Sequence, residues 1–364
     1  ITINTIDFPD TYPLDRIGPL KDILFFDIET TGFSGETSQL YLIGCTYFDG
    51  FGWRLIQWFA DTRQAEKELL DSFFEFLKRF KILIHFNGDR FDIPYLLKCC
   101  ERLGLDYNFN DLASIDIFKK IKPYRKLLKL ENMKQKPIEQ FLGVHREDKY
   151  NGGQLIEVYR DYLHTHEKSL FDLLILHNAD DLRGMPSILP ILNYADLFES
   201  DFTFAATNCI PTQMKPDIPP FVNLLWESPY SIPIPLEYTL NPLSLELHDS
   251  YLACNLNLYE GTLKYFYPDY QNYYYLPLED TAIHKSIGEY VDRSARKKAT
   301  AKNCYCKKEG LFLPQFSSLW EPSFKEDHKS SFSYILYDDE TLWADREKNS
   351  HYAHDIFTYL TGQL

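Results

Sequence analysis

The chain has 364 residues, is 45% hydrophobic and 16% aromatic, and carries a formal charge of −15. That length exceeds one ordinary core and sets two domains as the expectation, and no apolar run approaches the length of a membrane span. A net charge this negative excludes a general polyanion binder, because bulk attraction to phosphate is missing.

The chain opens on Ile1 rather than methionine, in keeping with numbering that begins inside a longer chain, and no basic-then-apolar signal segment is visible. Residues 1–20, with Pro9, Pro13 and Pro19, read as an irregular leader. Ile23 to Phe26 is apolar throughout, as expected of a strand buried on both faces. It leads into Asp27-Ile28-Glu29-Thr30-Thr31-Gly32. Leu40–Phe48 and Trp53–Ala60 read as two further strands joined by a loop at Asp49-Gly50. Glu66 to Phe80 has the apolar spacing of an amphipathic helix. Ile82–Phe86 is another buried strand, followed by Asn87-Gly88 and a helix from Phe91 to Leu103. A short strand near Ile115–Phe118 precedes helices over 133–142, 154–164 and 169–192, the last interrupted by Pro186. Antiparallel strands followed by alternating helix and strand describe an α/β mixed sheet with helices on both faces over 21–197.

From 198 to 235 seven prolines accumulate, and this stretch reads as a linker or strap. Residues 236–364, rich in short aromatic runs such as Tyr273–Leu276, read as a smaller α+β domain with one helix over 282–298. Its tyrosines are candidates for core positions or for stacking on bases. Basic residues are concentrated in two runs, Lys119–Lys136 and Arg293–Lys308, which in so acidic a chain favours local phosphate contact over an ordinary solvated face. The seven cysteines are irregularly spaced and show neither zinc-ligand spacing nor a pairing framework, so a reducing cytoplasm is expected.

Side chains alternate along a strand, so Asp27 and Glu29 project to the same side. Asp92 opens the helix after the second buried strand, where capping that helix is the alternative task. On a helix His177 and Asp181, four residues apart, share a face, whereas Asp180 lies about 100° away. Four carboxylates from three elements, with one histidine, make a site for two divalent ions. Hard oxygen donors favour Mg²⁺ or Mn²⁺ over zinc.

In order, Asp27-Ile-Glu29, Asn87 to Phe91-Asp92 and His177-x-x-x-Asp181 resemble the motifs of the DEDD 3′–5′ exonucleases, and within them the YprB-type ribonuclease H-like proteins. The resemblance spans about residues 20–195. It implies a ribonuclease H-like, mixed five-stranded sheet and a metal-dependent phosphodiesterase, a 3′–5′ exonuclease using two metal ions on a single-stranded RNA or DNA end. Carried over, Asp27, Glu29, Asp92 and Asp181 are the metal-binding acids, and His177 serves the attacking water. Asn87, Phe91, Thr30 and Thr31 would border the substrate, and Lys134 and Arg146 would meet its phosphates. The spacing from His177 to Asp181 matches the family branch that uses tyrosine; histidine is usual where one more residue intervenes. A ribonuclease H-like nucleic-acid-binding module without turnover and a structure-specific endonuclease are the competing readings. The oligomeric state is not encoded in these motifs.

Overall fold

The computed structural model describes residues 1–144, 152–210 and 219–363. The chain divides into two compact units, Ile1–Ala195 and Asp196–Leu364.

The first unit is built on a six-stranded mixed sheet: β1 (Thr2–Ile6), β2 (Ile23–Thr30), β3 (Leu40–Phe48), β4 (Trp53–Phe59), β5 (Ile82–His85) and β6 (Ala113–Asp116), in spatial order β1-β4-β3-β2-β5-β6. β2 is antiparallel to β3 and parallel to β5, so Ile23–Phe26 lie between two strands and two helical layers and are completely buried. One layer holds α1 (Glu66–Leu77) and α2 (Asp92–Leu103), whose Leu69, Phe73, Tyr95 and Leu96 pack with Phe26 and Ile28. After α3 (Ile117–Ile121) and α4 (Gln135–Phe141), α5 (Gly152–Thr165) and α6 (Lys168–Ile188) form the second layer, with Tyr159 and Leu174 packed on Tyr41 and Leu42. α6 continues through Pro186 and ends two residues later.

The sheet has six strands rather than five because residues 1–20 are not wholly irregular. Thr2–Ile6, β-branched everywhere except Asn4, pairs with Trp53–Gln57 as an exposed edge. The prolines that suggested a leader all lie beyond it.

Unit boundaries fall within α7 (Leu192–Glu199). The second unit is sheet-rich. β7 (Thr203–Ile210), β8 (Phe221–Glu227), β9 (Leu236–Leu240), β10 (Leu243–His248) and β11 (Tyr251–Asn257) form a sheet in the order β7-β8-β11-β10-β9. The expected linker over 198–235 is therefore incorrect. Within the described residues its prolines flank β8, where Val222, Leu224 and Trp226 alternate into the core, so they punctuate strands. β12 (Tyr259–Phe266), β16 (Tyr305–Gln315), β17 (Phe324–Lys325) and β18 (Ser333–Leu336) close a small barrel. β13 (Tyr273–Leu276), β14 (Thr281–His284) and β15 (Lys297–Lys298) form a three-stranded sheet. The expected helix over 282–298 is reduced to α8 (Lys285–Gly288), because both ends of the segment pair with the tyrosine strand β13. α9 (Arg346–Gln363) covers the five-stranded sheet, with Tyr352 against Trp226. No helix among the described residues is long and apolar enough to cross a membrane.

Candidate active site

Alternation along β2 turns Phe26 and Ile28 to the α1–α2 core and Asp27 and Glu29 to α6. α6 answers with a polar stripe. Its Asn178 Nδ2 donates to Asp27 Oδ2 at 2.9 Å. His177 Nε2 lies 3.7 Å from Glu29 Oε1 and 3.4 Å from Asp181 Oδ2. Ligand atoms of Glu29, His177 and Asp181 all fall within 4.8 Å of one another. Asp92 is the first residue of α2, one position beyond the N-cap Phe91. It is buried, and its carboxylate accepts from the backbone N–H of Ile28 and from its own.

These acids are electrostatically strained. Burial pushes Asp27 well above the usual carboxylate range, and Asp92, Glu29 and Asp181 add to the rise. Burial, then the Asp181 charge, raises Glu29 to about 8 although the Tyr41 hydroxyl donates to it at 3.4 Å. Burial, then Asp116, raises Asp92 to about 7. Among the described residues no lysine or arginine forms an ion pair with Asp27, Glu29 or Asp92. Repelling carboxylates in a poorly hydrated corner fit a divalent cation, whose positive charge favours the ionised acids that burial and mutual repulsion disfavour.

Three partners escaped the sequence reading. Asn178 stood between His177 and Asp181 as apparent spacing, yet it is completely buried and ties β2 to β4. Gln57 Nε2 donates to Asn178 Oδ1 and to the Ile175 carbonyl, both at 2.9 Å, and Tyr41 stood unremarked within the Leu40–Phe48 strand. Gly44, opposite Asp27 in the ladder, permits this approach: a Cβ there would overlap Asn178 Oδ1 and Leu182 Cδ1. Gly44→Ala is expected to cost ~1–3 kcal/mol and to weaken divalent-ion binding ~10–100-fold; thermal melting and ion titration would measure both.

A second cluster, His85, Asp89 and Asp116, supports the turn before α2. Asp116 accepts from the backbone N–H of Asn87, Asp89 and Lys119. His85 Nδ1 accepts from Gly88 N–H, so Nε2–H donates to Ser114, whose hydroxyl donates to Asp89. A Cβ on Gly88 would approach His85 Nδ1 to 2.6 Å, which excludes larger residues. Asn87 takes the left-handed conformation (φ +64°) and its carbonyl accepts from Arg90 and Phe91. Phe91 is half-buried, 6.5 Å from the exposed Phe33 between ring centroids. The Thr30 hydroxyl donates to the Gly32 carbonyl and the Thr31 hydroxyl accepts from Gln39 N–H, so both shape the loop leaving β2. Lys134 is exposed at the N-terminus of α4. Arg146 lies outside the described residues.

A mixed sheet presenting four acids and a histidine from β2, α2 and α6 defines a ribonuclease H-like domain with a candidate metal centre. Residues 24–193 match the family model described as the RNase_H superfamily. Among curated proteins, the DNA polymerase of Thermococcus sp. (strain 9oN-7) is 36% identical over 119 residues, 28% of this chain and 15% of the polymerase. That of Thermococcus kodakarensis is 35% identical over 104 residues, 26% and 6%. The match thus spans only a small part of these relatives. Among solved structures, the family B DNA polymerase of Pyrobaculum calidifontis has a TM-score of 0.38 at 17% identity, covering 48% of this chain and 26% of that one. The zinc-bound E. coli ExoI–ssDNA complex has a TM-score of 0.29 at 13% identity, covering 57% and 54%.

Proposed function

We propose that the first unit is a metal-dependent nuclease, a 3′–5′ exonuclease using two divalent ions, Mg²⁺ or Mn²⁺, on a single-stranded nucleic-acid end. The observation that carries this reading is the crowding of half-buried Asp27 and Glu29 and buried Asp92 beside Asp181, with no lysine or arginine among the described residues paired to the first three. Such repulsion costs stability unless cations offset it. The donor set, oxygen-rich with one imidazole, suits hard ions. Asp27, Glu29, Asp92 and Asp181 would hold the ions, which supply an activated water and stabilisation of the leaving oxygen.

The protein's own residues do the remaining work. His177, oriented by Glu29 and Asp181, takes the proton of the attacking water. Asn178 fixes the carboxylate plane of Asp27, and Gln57 fixes Asn178. Asn87, Phe91, Thr30 and Thr31 border the nucleotide, and Lys134 and Arg146 meet the phosphate backbone. The DNA polymerases that match this segment favour a polynucleotide substrate. The second unit acts as an accessory domain, and seven free cysteines fit a reducing, cytoplasmic setting.

Degradation of 3′-end-labelled and internally labelled single-stranded RNA and DNA, with Mg²⁺, Mn²⁺ or EDTA, tests the assignment. Metal-dependent release of mononucleotides from free 3′ ends is expected. Cleavage of 3′-blocked strands would indicate an endonuclease instead, and no cleavage of any substrate would leave a binding module.

A further inference from the structure

The outer face of the barrel in the second unit carries lysines in strand register. Lys264 on β12 lies opposite Lys307 on β16 and opposite Lys325 on β17, and directly paired residues project to the same side. Like charges so placed weaken a sheet. Lys307 is neutralised by Asp280, whose carboxylate also accepts from the hydroxyls of Tyr275 and Tyr305. Among the described residues no carboxylate pairs with Lys264 or Lys325. The Lys264 ammonium sits 4.8 Å from the centre of the Tyr305 ring.

Aromatic surface adjoins this row. Phe266, two residues along β12 and on the same face, meets Tyr305 at 5.3 Å and His328 at 5.5 Å between ring centroids. An open cleft of about 630 Å³ lies there, lined by Phe266, Pro268, Glu321, Pro322, Lys325 and His328. Its one acid, Glu321, accepts from Ser323 N–H at the rim. The neighbouring three-stranded sheet repeats the pattern, with the Arg296 guanidinium 4.5 Å from the centre of the Tyr274 ring and Lys297 and Lys298 exposed.

We infer that this face binds a single-stranded polynucleotide, with phosphates on Lys264 and Lys325 and a base entering the cleft against Phe266 and His328. Cations spaced along a groove with planar side chains between them are what a single strand requires. An acidic peptide would use the lysines but not the rings. The choice of polymer rests on the nuclease reading of the first unit, whereas the test reads binding alone.

Anisotropy of fluorescein-labelled oligothymidylate and oligouridylate, titrated with the full chain in EDTA, separates the two. Lys264→Glu with Lys325→Glu is expected to weaken binding at least ~10-fold and to lower the salt slope of log K by ~0.7 per lysine. Phe266→Ala should weaken it roughly tenfold, and Lys264→Arg should retain wild-type affinity. Lys264→Gln with Lys325→Gln substitutes if charge reversal prevents folding. Unchanged affinity in the folded double variants, no wild-type binding of either polymer, or equal binding of oligoglutamate would overturn the inference. A protein that binds through these residues yet never cleaves would leave it standing while removing the nuclease reading.

Discussion

Asp27→Asn is expected to lower cleavage by on the order of 10³-fold or more while raising the melting temperature of the metal-free protein. Both effects have one cause. Asp27 is pushed far above its ordinary range by burial, with Asp92, Glu29 and Asp181 adding repulsion. Its compensating contact is the Asn178 amide at 2.9 Å, which an asparagine carbonyl accepts equally well. Removing the charge while keeping the shape therefore relieves repulsion, by ~1–3 kcal/mol, and raises Tm by ~2–8 °C. The same change removes a charge that the proposed divalent ions would need as a ligand. Asp181→Asn should abolish turnover likewise. Full activity in a well-folded Asp27→Asn protein would mean the chemistry lies elsewhere. A drop in metal-free Tm would mean Asp27 stabilises the fold rather than straining it.

The parts of the site that follow a local period were legible in the sequence. Alternation puts Asp27 and Glu29 on one face, and the four-residue spacing puts His177 over Asp181, as the 3.4 Å separation bears out. The polar residues that lock these groups were not legible. Asn178 and Gln57 lie 121 residues apart in sequence, and nothing local marks a buried amide in a strand as part of a site. Asp92 kept two meanings in the sequence, cap or ligand; its side chain is buried one position past the N-cap Phe91.

Composition misled where tertiary pairing overrode it. Proline density suggested a linker, yet β8 fits between its prolines with alternating burial intact. Ala282–Lys298 read as one helix with a basic C-terminal end, yet Lys297 and Lys298 complete a sheet with Tyr275 and Tyr274. Those pairings depend on a partner strand more than twenty residues away, so no window-based pattern contains them. For the same reason the lysine register of the barrel emerged only once β12, β16 and β17 were aligned.

Metal-free protein should lose stability as pH rises from about 5 to about 8, the reverse of what most paired carboxylates produce. Burial holds Glu29 at about 8, against its ordinary 4.5, and Asp92 at about 7, against 3.8. The unfolded chain releases these protons near the ordinary values, and the folded chain retains them. Between the two limits the native state binds more protons, so stability falls with pH by up to ~1.4 kcal/mol per pH unit for each group. Asp89, lowered by its bonds to Lys119 and Ser114 against the cost of its burial, acts oppositely, and its contribution is lost only as pH falls through the carboxylate range. The metal-free Tm should therefore peak near pH 5. Glu29→Gln with Asp92→Asn should flatten the decline. Saturating Mg²⁺ should cancel it, because a bound cation favours the ionised acids. Melting curves across pH in EDTA and in Mg²⁺ decide the matter. A flat metal-free profile from pH 5 to 8 would mean the acids are hydrated and already ionised, and would remove the physical reason for placing metal ions there.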